Sequence, residues 1–277
     1  MKDFTGALAL GSRIHEALDR HYSTGQDLLE AHAELVREDT KKMTDAGRDT
    51  SSLETEADLG RVMLEGYLEW VEHEGIDAEL EMISTEEILE RPMMDGRVIL
   101  QGKIDMRVRR KIDGARMIRD FKTVGGSFAD FGAMAHMNEQ VKTYMTLEEA
   151  QNKDGERTDG AIFTMLRKVK RGAYAKPPFY DQIEVRHNRF TLRAFLDQLE
   201  GTFEDMLRVR DALDNGESHY RNAYPTPSKD CKWKCQFFAI CPLFDDGSAA
   251  EAALSDSFES SDPYGYYGIE EKKGSEE

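Results

Sequence analysis

The chain has 277 residues, 39% of them hydrophobic and 33% charged, with a formal net charge of −17. This length suits one large domain or two small ones around a sizeable core. No apolar run approaches the ~20 residues of a membrane-spanning helix. The N-terminus has a short apolar patch without a signal-peptide layout, so a cytoplasmic protein is expected.

Residues 7–75 read as helical. Leu10, Ile14, Leu18 and Tyr22 recur at i, i+4 spacing, and a polar break over 45–56 precedes a helix through Leu59, Met63, Tyr67 and Trp70 that ends near Gly75 as a C-cap. From 78 to 124 short runs with turn signals predict a strand meander. Residues 129–151 return to helix, 160–168 read as a buried strand, and a second strand lies near 179–187. Asn188 is placed to cap a long helix to about Leu213, with Leu192, Leu196, Leu199, Phe203, Met206 and Leu213 on one side. A cysteine segment covers 229–244. The remainder is acidic and rich in Ser and Gly, and reads as disordered. Between Asp245 and Glu277 ten acidic residues stand against two lysines, so this tail carries −8 of the total. A basic groove elsewhere thus remains compatible with the overall charge.

Asp113-Gly114 is a strong hairpin signal between "GKIDMRVRR" and "MIRDFKTV". A two-residue turn centred there sets Asp105 opposite Lys122 and Arg107 opposite Asp120. Asp105, Asp120 and Lys122 then share one face, and Ile104, Met106, Val108, Met117 and Phe121 take the other, with Arg119 as the exception. Two carboxylates at neighbouring strand positions repel unless a positive group lies between them. A hard divalent cation fits, with the Phe121 carbonyl as a further oxygen ligand, and such a cation activates phosphodiesters and bound water. Ordinary cross-strand ion pairs on a solvated face are the alternative.

"GKID" followed by "RDFKT" resembles the core of PD-(D/E)XK nucleases, in particular the RecB-like and CRISPR-associated exonuclease branch. "GSRIHEALDRHY" is similar to that branch's Gly-x-x-x-His helix through Gly11 and His15. "EQVKTYM" is similar to its Gln-x-x-x-Tyr helix through Gln140 and Tyr144. "CKWKCQFFAICP" resembles the cysteine segment of the iron–sulfur members. The resemblance spans about 8–243. It implies an α/β fold of restriction-endonuclease-like type: a mixed sheet flanked by helices, with a helical N-terminal part and a C-terminal cysteine segment. One domain over 1–244 is expected (1–77 helical, 78–187 sheet core with an inserted helix, 188–244 long helix and cysteine segment), followed by the tail at 245–277. The implied site has His15, Asp105, Asp120 and the Phe121 carbonyl as ligands of Mg²⁺ or Mn²⁺, Lys122 as the catalytic lysine, and Gln140 and Tyr144 flanking them. The implied activity is hydrolysis of DNA from single-stranded ends, in recombination, repair or DNA processing. A non-catalytic nucleic-acid-binding or scaffold protein on the same fold is the rival.

Cys231, Cys235 and Cys241, the chain's three cysteines, fall within eleven residues. That is a poor disulfide framework and reads as a metal or cluster site. The iron–sulfur members use four cysteines, so these three need an outside or non-cysteine ligand to complete a [4Fe–4S] cluster. Zn²⁺ with one His or Asp is compatible with the spacing, as are thiols packed as small hydrophobes. For DNA contact the best basic stretch is 166–176, with Arg167, Lys168, Lys170 and Arg171. Tyr174 is available for stacking, and Arg186 and Arg189 follow closely in sequence.

Overall fold

Apolar residues at helical spacing form three helices over the first 75 positions of the computed structural model, which describes residues 4–151, 157–172, 174–223 and 226–260. Helix α1 (Ala7–Thr24) buries Leu10, Ile14, Ala17 and Leu18. Helix α2 (Leu28–Asp45) begins at Asp27, whose side chain accepts the Glu30 N–H. Helix α3 (Ser51–Glu74) ends where Gly75 takes φ 67° and donates its N–H to the Val71 carbonyl, the left-handed cap that the sequence predicts.

The meander follows as β1 (Leu80–Met93), β2 (Val98–Arg110) and β3 (Arg116–Val124). Helices α4 (Phe128–Ala135) and α5 (Glu139–Gln151) lead to β4 (Thr158–Arg167) and β5 (Tyr180–Val185). The sheet order is β1-β2-β3-β4-β5. Only β3 and β4 run parallel, because α4 and α5 supply the crossover that parallel pairing needs. The single helix expected over 129–151 is therefore two, and Asn138 caps the second by accepting the Val141 N–H.

Helix α6 (Arg189–Asp214) starts as expected, with the Asn188 side chain accepting the N–H groups of Phe190 and Thr191. Its buried side differs from the expected one. Leu192, Phe195, Phe203 and Leu207 are buried, whereas Met206 is 62% exposed and Leu213 37%. The covered stripe is narrower than the apolar spacing suggests, and those two residues fall outside it.

The chain divides into two compact units, Lys2–Glu200 and Gly201–Glu277. The second contains the short helices α7 (His219–Asn222), α8 (Cys231–Lys234) and α9 (Ala250–Ser257). Helix α9 lies inside the stretch read from sequence as disordered, and 261–277 fall outside the described residues. Among the described residues no helix is long and apolar enough to cross a membrane.

Both faces of the sheet are covered. One carries Leu10, Ile14, Leu18, Met63 and Tyr67 against Met106, Val108, Met117 and Phe121. The other carries Phe128, Val141, Tyr144 and Leu147 against Ile104, Ile118, Phe163 and Met165. The expected contrast between one core face and one site face is thus corrected: the site lies where the sheet opens, with core on either side.

The hairpin register is corrected too. Arg107 pairs with Ile118 and Met106 with Arg119, two residues away from the register of a two-residue turn. Arg110 N–H donates to the Ala115 carbonyl, which leaves a four-residue loop, Lys111–Gly114. Gly114 takes φ 72° there. The Asp113 carboxylate accepts the Ala115 N–H and grips the Arg110 guanidinium, and these bonds favour the longer loop. A shift of two preserves side-chain parity. A further expectation also fails: Arg107 does not face Asp120 but pairs with Glu87 and Glu148.

Candidate active site

The β2–β3 ladder stops at Met106 and Arg119. Beyond it, the first half of β2 pairs with β1 and the last half of β3 with β4. The strands thus part as a fork, with Asp105 and Asp120 at its mouth. Asp105 also marks an irregularity in β2. Ile104 packs with the α5 side and Met106, two residues on, with the α1–α3 side, so the usual alternation breaks between them. Across on β1, Glu86 has φ 50°, and the Asp105 and Glu86 positions fall between the pairs Thr85–Met106 and Glu87–Ile104.

Two glycines let the flanking helices approach. A Cβ on Gly102 would lie 2.9 Å from both Leu147 and Tyr144 of α5, and one on Gly11 would lie 3.1 Å from Thr123 Oγ1 of β3. These are the glycines of "GKID" and of the Gly-x-x-x-His helix. One turn beyond Gly11, His15 Nδ1 lies 3.4 Å from Asp105 Oδ2. The same oxygen accepts the Phe121 N–H at 2.9 Å, an amide beyond the end of the β2–β3 ladder.

Asp120 is 1% exposed. Lys122 Nζ lies 2.7 Å from its Oδ2, yet neither carboxylate oxygen has an aligned hydrogen bond. The contact is therefore one of charge, and Oδ1 is left without any partner. Lys122 donates to Gln140 Oε1 at 2.8 Å, and Gln140 Nε2 donates to the Tyr144 hydroxyl at 2.8 Å. Gln140 and Tyr144, one helical turn apart on α5, thus hold the lysine from the far side.

Electrostatics drive the two acids apart. Burial opposes the charge on Asp105, but its bond to His15, the Phe121 N–H and the nearby Lys122 bring its pKa below the ordinary value. Burial pushes Asp120 up; Lys122 opposes this and Asp105 adds to it. Burial disfavours the His15 cation, yet Asp105 and Asp120 together raise its pKa. One carboxylate is held ionised while burial outweighs the Lys122 counter-charge at its neighbour, an asymmetry typical of sites that handle protons or cations.

The donor set is tested by that orphaned oxygen. A buried carboxylate oxygen without a partner is costly, and a hard cation relieves the cost. Two aspartates, a carbonyl and an imidazole suit Mg²⁺ or Mn²⁺. Among the described residues, no three His, Cys, Asp or Glu side chains are gathered into a cage as they stand, and the Lys122 ammonium lies against Asp120 where positive charge is needed.

The ring of Phe121 is held on several sides. Tyr22 stacks on it at 6.0 Å, Tyr67 meets it edge-on at 6.2 Å and His15 at 6.5 Å. The Arg119 guanidinium sits 5.0 Å from its centroid. Arg119, 1% exposed, is bonded to Asp77 at 2.7 Å, the Tyr67 hydroxyl at 2.9 Å and Thr164 Oγ1 at 3.0 Å. The exception on the apolar face is thus a satisfied buried cation.

Sequence reasoning missed Glu86. It pairs with Lys103 and shares a small cavity with His15, Asp19 and Asp105. Burial raises its pKa, Lys103 opposes that, and Asp105 and Asp19 add to it. Its signal is the positive φ, which a sequence pattern does not display.

The basic stretch links β4 to β5. Lys170 is exposed and Tyr174 is 96% exposed. Lys168 is partly buried, its pKa lowered by burial, with Nζ 3.5 Å from the Ala7 carbonyl. Arg167 donates to the Lys176 carbonyl. Arg171 stacks 3.7 Å from the Phe179 centroid and donates to the Tyr180 hydroxyl at 2.8 Å. In the second unit Cys231, Cys235 and Cys241 are free thiols, and Cys231 Sγ accepts the Ser228 N–H at 3.3 Å.

A family model described as the PD-(D/E)XK nuclease superfamily matches residues 2–242. Among solved structures, the crystal structure of SSO0001 is similar at 14% identity and TM-score 0.35, over 87% of this chain and 88% of that one. None of the curated proteins compared matches the chain.

Proposed function

The chain belongs to the PD-(D/E)XK nuclease superfamily, whose members are generally metal-dependent nucleases, and on that premise we propose that it is a divalent-metal-dependent deoxyribonuclease acting on single-stranded ends. The observation that carries this reading is the buried Asp120 carboxylate, whose Oδ1 has no hydrogen-bond partner, at the mouth of a fork that also gathers His15, Asp105 and Lys122. His15, Asp105, Asp120 and the Phe121 carbonyl would hold Mg²⁺ or Mn²⁺. When bound, the ion supplies Lewis acidity toward a phosphodiester and lowers the pKa of water.

The chain's own groups do the rest. Lys122, steadied by Gln140 and Tyr144, presents its ammonium to the charge that develops on phosphate oxygens, where a fixed donor counts most. His15 and the Phe121 N–H keep Asp105 ionised and oriented. The sheet core on either side limits water around Asp120. Lys168 and Lys170 of the β4–β5 connection contact strand phosphates in this reading, and Tyr174 stacks on a base. Arg167 and Arg171 also brace that connection, and their remaining donors stay available to phosphate. DNA recombination, repair or processing is the corresponding setting.

The test is incubation of the full chain with end-labelled single-stranded and double-stranded DNA, with Mg²⁺ or Mn²⁺ and with or without EDTA. Products shortening progressively from single-stranded ends in metal alone support the proposal. Binding without cleavage in either metal overturns it and favours the scaffold alternative.

A further inference from the structure

Sequence proximity groups Arg186 and Arg189 with the basic β4–β5 connection, but the fold separates them. Strand β5 spans Tyr180–Val185, and its length carries the chain ~20 Å away, to the opposite end of the sheet. There Arg186 and Arg189 meet Arg157, at the start of β4, around a cavity of about 640 Å³. Three arginines line it against one acid, Asp159. That acid already accepts the Arg116 N–H. This is a basic concavity on a chain whose net charge is −17.

The guanidinium groups remain accessible. Arg157 is 56% exposed and touches Glu149 through one nitrogen at 3.8 Å; Arg186 is 49% exposed and uses its Nε on Glu184. Each arginine carries five donors, so both retain capacity. Arg189 is exposed, with its guanidinium 4.9 Å from the Phe190 centroid. His187 lines the same cavity, and its Nε2 is enclosed without a hydrogen-bond partner. Phe190 stands at the rim, 69% exposed. Forked donors and an adjacent aromatic face suit a phosphate with its neighbouring base.

We propose that this cavity is a second contact point for the DNA strand, taking a backbone phosphate on Arg157, Arg186 and Arg189 with a base against Phe190. The proposal rests on the nuclease reading and extends it to how the substrate is held away from the reacting bond. In the β3–β4 register Thr158 pairs with Arg116 and Phe163 with Asp120. The cavity therefore lies five strand residues, ~17 Å, from the fork acid. A dinucleotide, with its single bridging phosphate, cannot engage both places, whereas a long strand can.

The test is fluorescence anisotropy of the full chain with a labelled 30-nucleotide single strand and a labelled dinucleotide, in EDTA so that binding is read without cleavage. Arg186→Ala/Arg189→Ala should weaken the 30-mer about tenfold and flatten its salt dependence by about one unit of slope. Arg189→Lys should restore part of the loss, and the dinucleotide should bind as to wild type. With metal, kcat on the 30-mer should stay within twofold while KM rises. An unchanged 30-mer affinity and slope, or an equal loss for the dinucleotide, overturns the proposal. If the double variant loses its circular dichroism signature, Arg189→Ala alone serves, with half the slope change expected. Wild-type DNA binding without hydrolysis would refute the nuclease reading and leave the cavity standing. Hydrolysis with unaffected variant binding would refute the cavity alone.

Discussion

Cys231, Cys235 and Cys241 fall within eleven residues, while the groups at the β2–β3 fork are drawn from His15 to Tyr144, yet the fork is where side chains converge. There His15 reaches Asp105 from α1 and Gln140 reaches Lys122 from α5, because the ladder, two glycines and two packed layers fix every approach. The three thiols sit on α8, a four-residue helix, and the turns after it. Among the described residues they form no cluster with histidine or acids. Spacing along a chain becomes geometry only when a scaffold holds it; a segment of short turns gains one when a ligand supplies it.

Four measurements would break or sharpen that contrast. The largest effect is expected at the fork itself: Lys122→Ala or Asp120→Ala should reduce cleavage at least about 1,000-fold with circular dichroism unchanged, and near-wild-type turnover in either would remove the fork from the chemistry. Next, Gln140→Ala frees the lysine without touching the acids. It should cost about 10- to 100-fold in kcat with little change in KM, and a pure KM effect would assign Gln140 to substrate binding.

The third concerns what the fork costs in stability. Without metal, Asp120→Asn should raise the melting temperature by roughly 2–8 °C at neutral pH, because it removes a buried charge with poor compensation. The sign follows from the raised pKa. Wild type loses stability as pH climbs from the ordinary aspartate value of 3.8 through the higher value of Asp120, so the variant's advantage should grow over that window and vanish below it. An advantage that does not depend on pH would point to packing instead. The smallest effect is expected at the thiols: replacing all three cysteines by serine should shift the melting temperature by less than about 2 °C and leave cleavage intact. A loss above 10 °C, with iron or zinc disappearing at the same time, would show that a ligand builds a scaffold there after all.

What was legible in the sequence follows the same line. Helix ends marked by Gly75, Asn188 and the i, i+4 apolar rows were readable, since caps and periodicity act locally. The placement of Asp105 beside Asp120 and Lys122 survived an incorrect register because the error was two residues, the period of the strand. The four-residue loop depends on Asp113 gripping Arg110, a side-chain bond that the Asp-Gly signal does not encode. The division of 129–151 into α4 and α5, the break of alternation at Asp105 and the role of Glu86 depend on how three strands and a helix meet, and no single segment contains that information. Arg186 and Arg189 looked like neighbours of the basic connection because sequence distance hides the length of a strand.

The clamp on the Phe121 ring has a practical corollary. With Tyr22, Tyr67, His15 and Arg119 gripping that side chain, the residue whose amide tethers Asp105 and whose carbonyl is offered to an ion is immobilised before any ion arrives. Chelation should then silence the protein without melting it, and re-addition of the cation should restore function as fast as the ion can diffuse in.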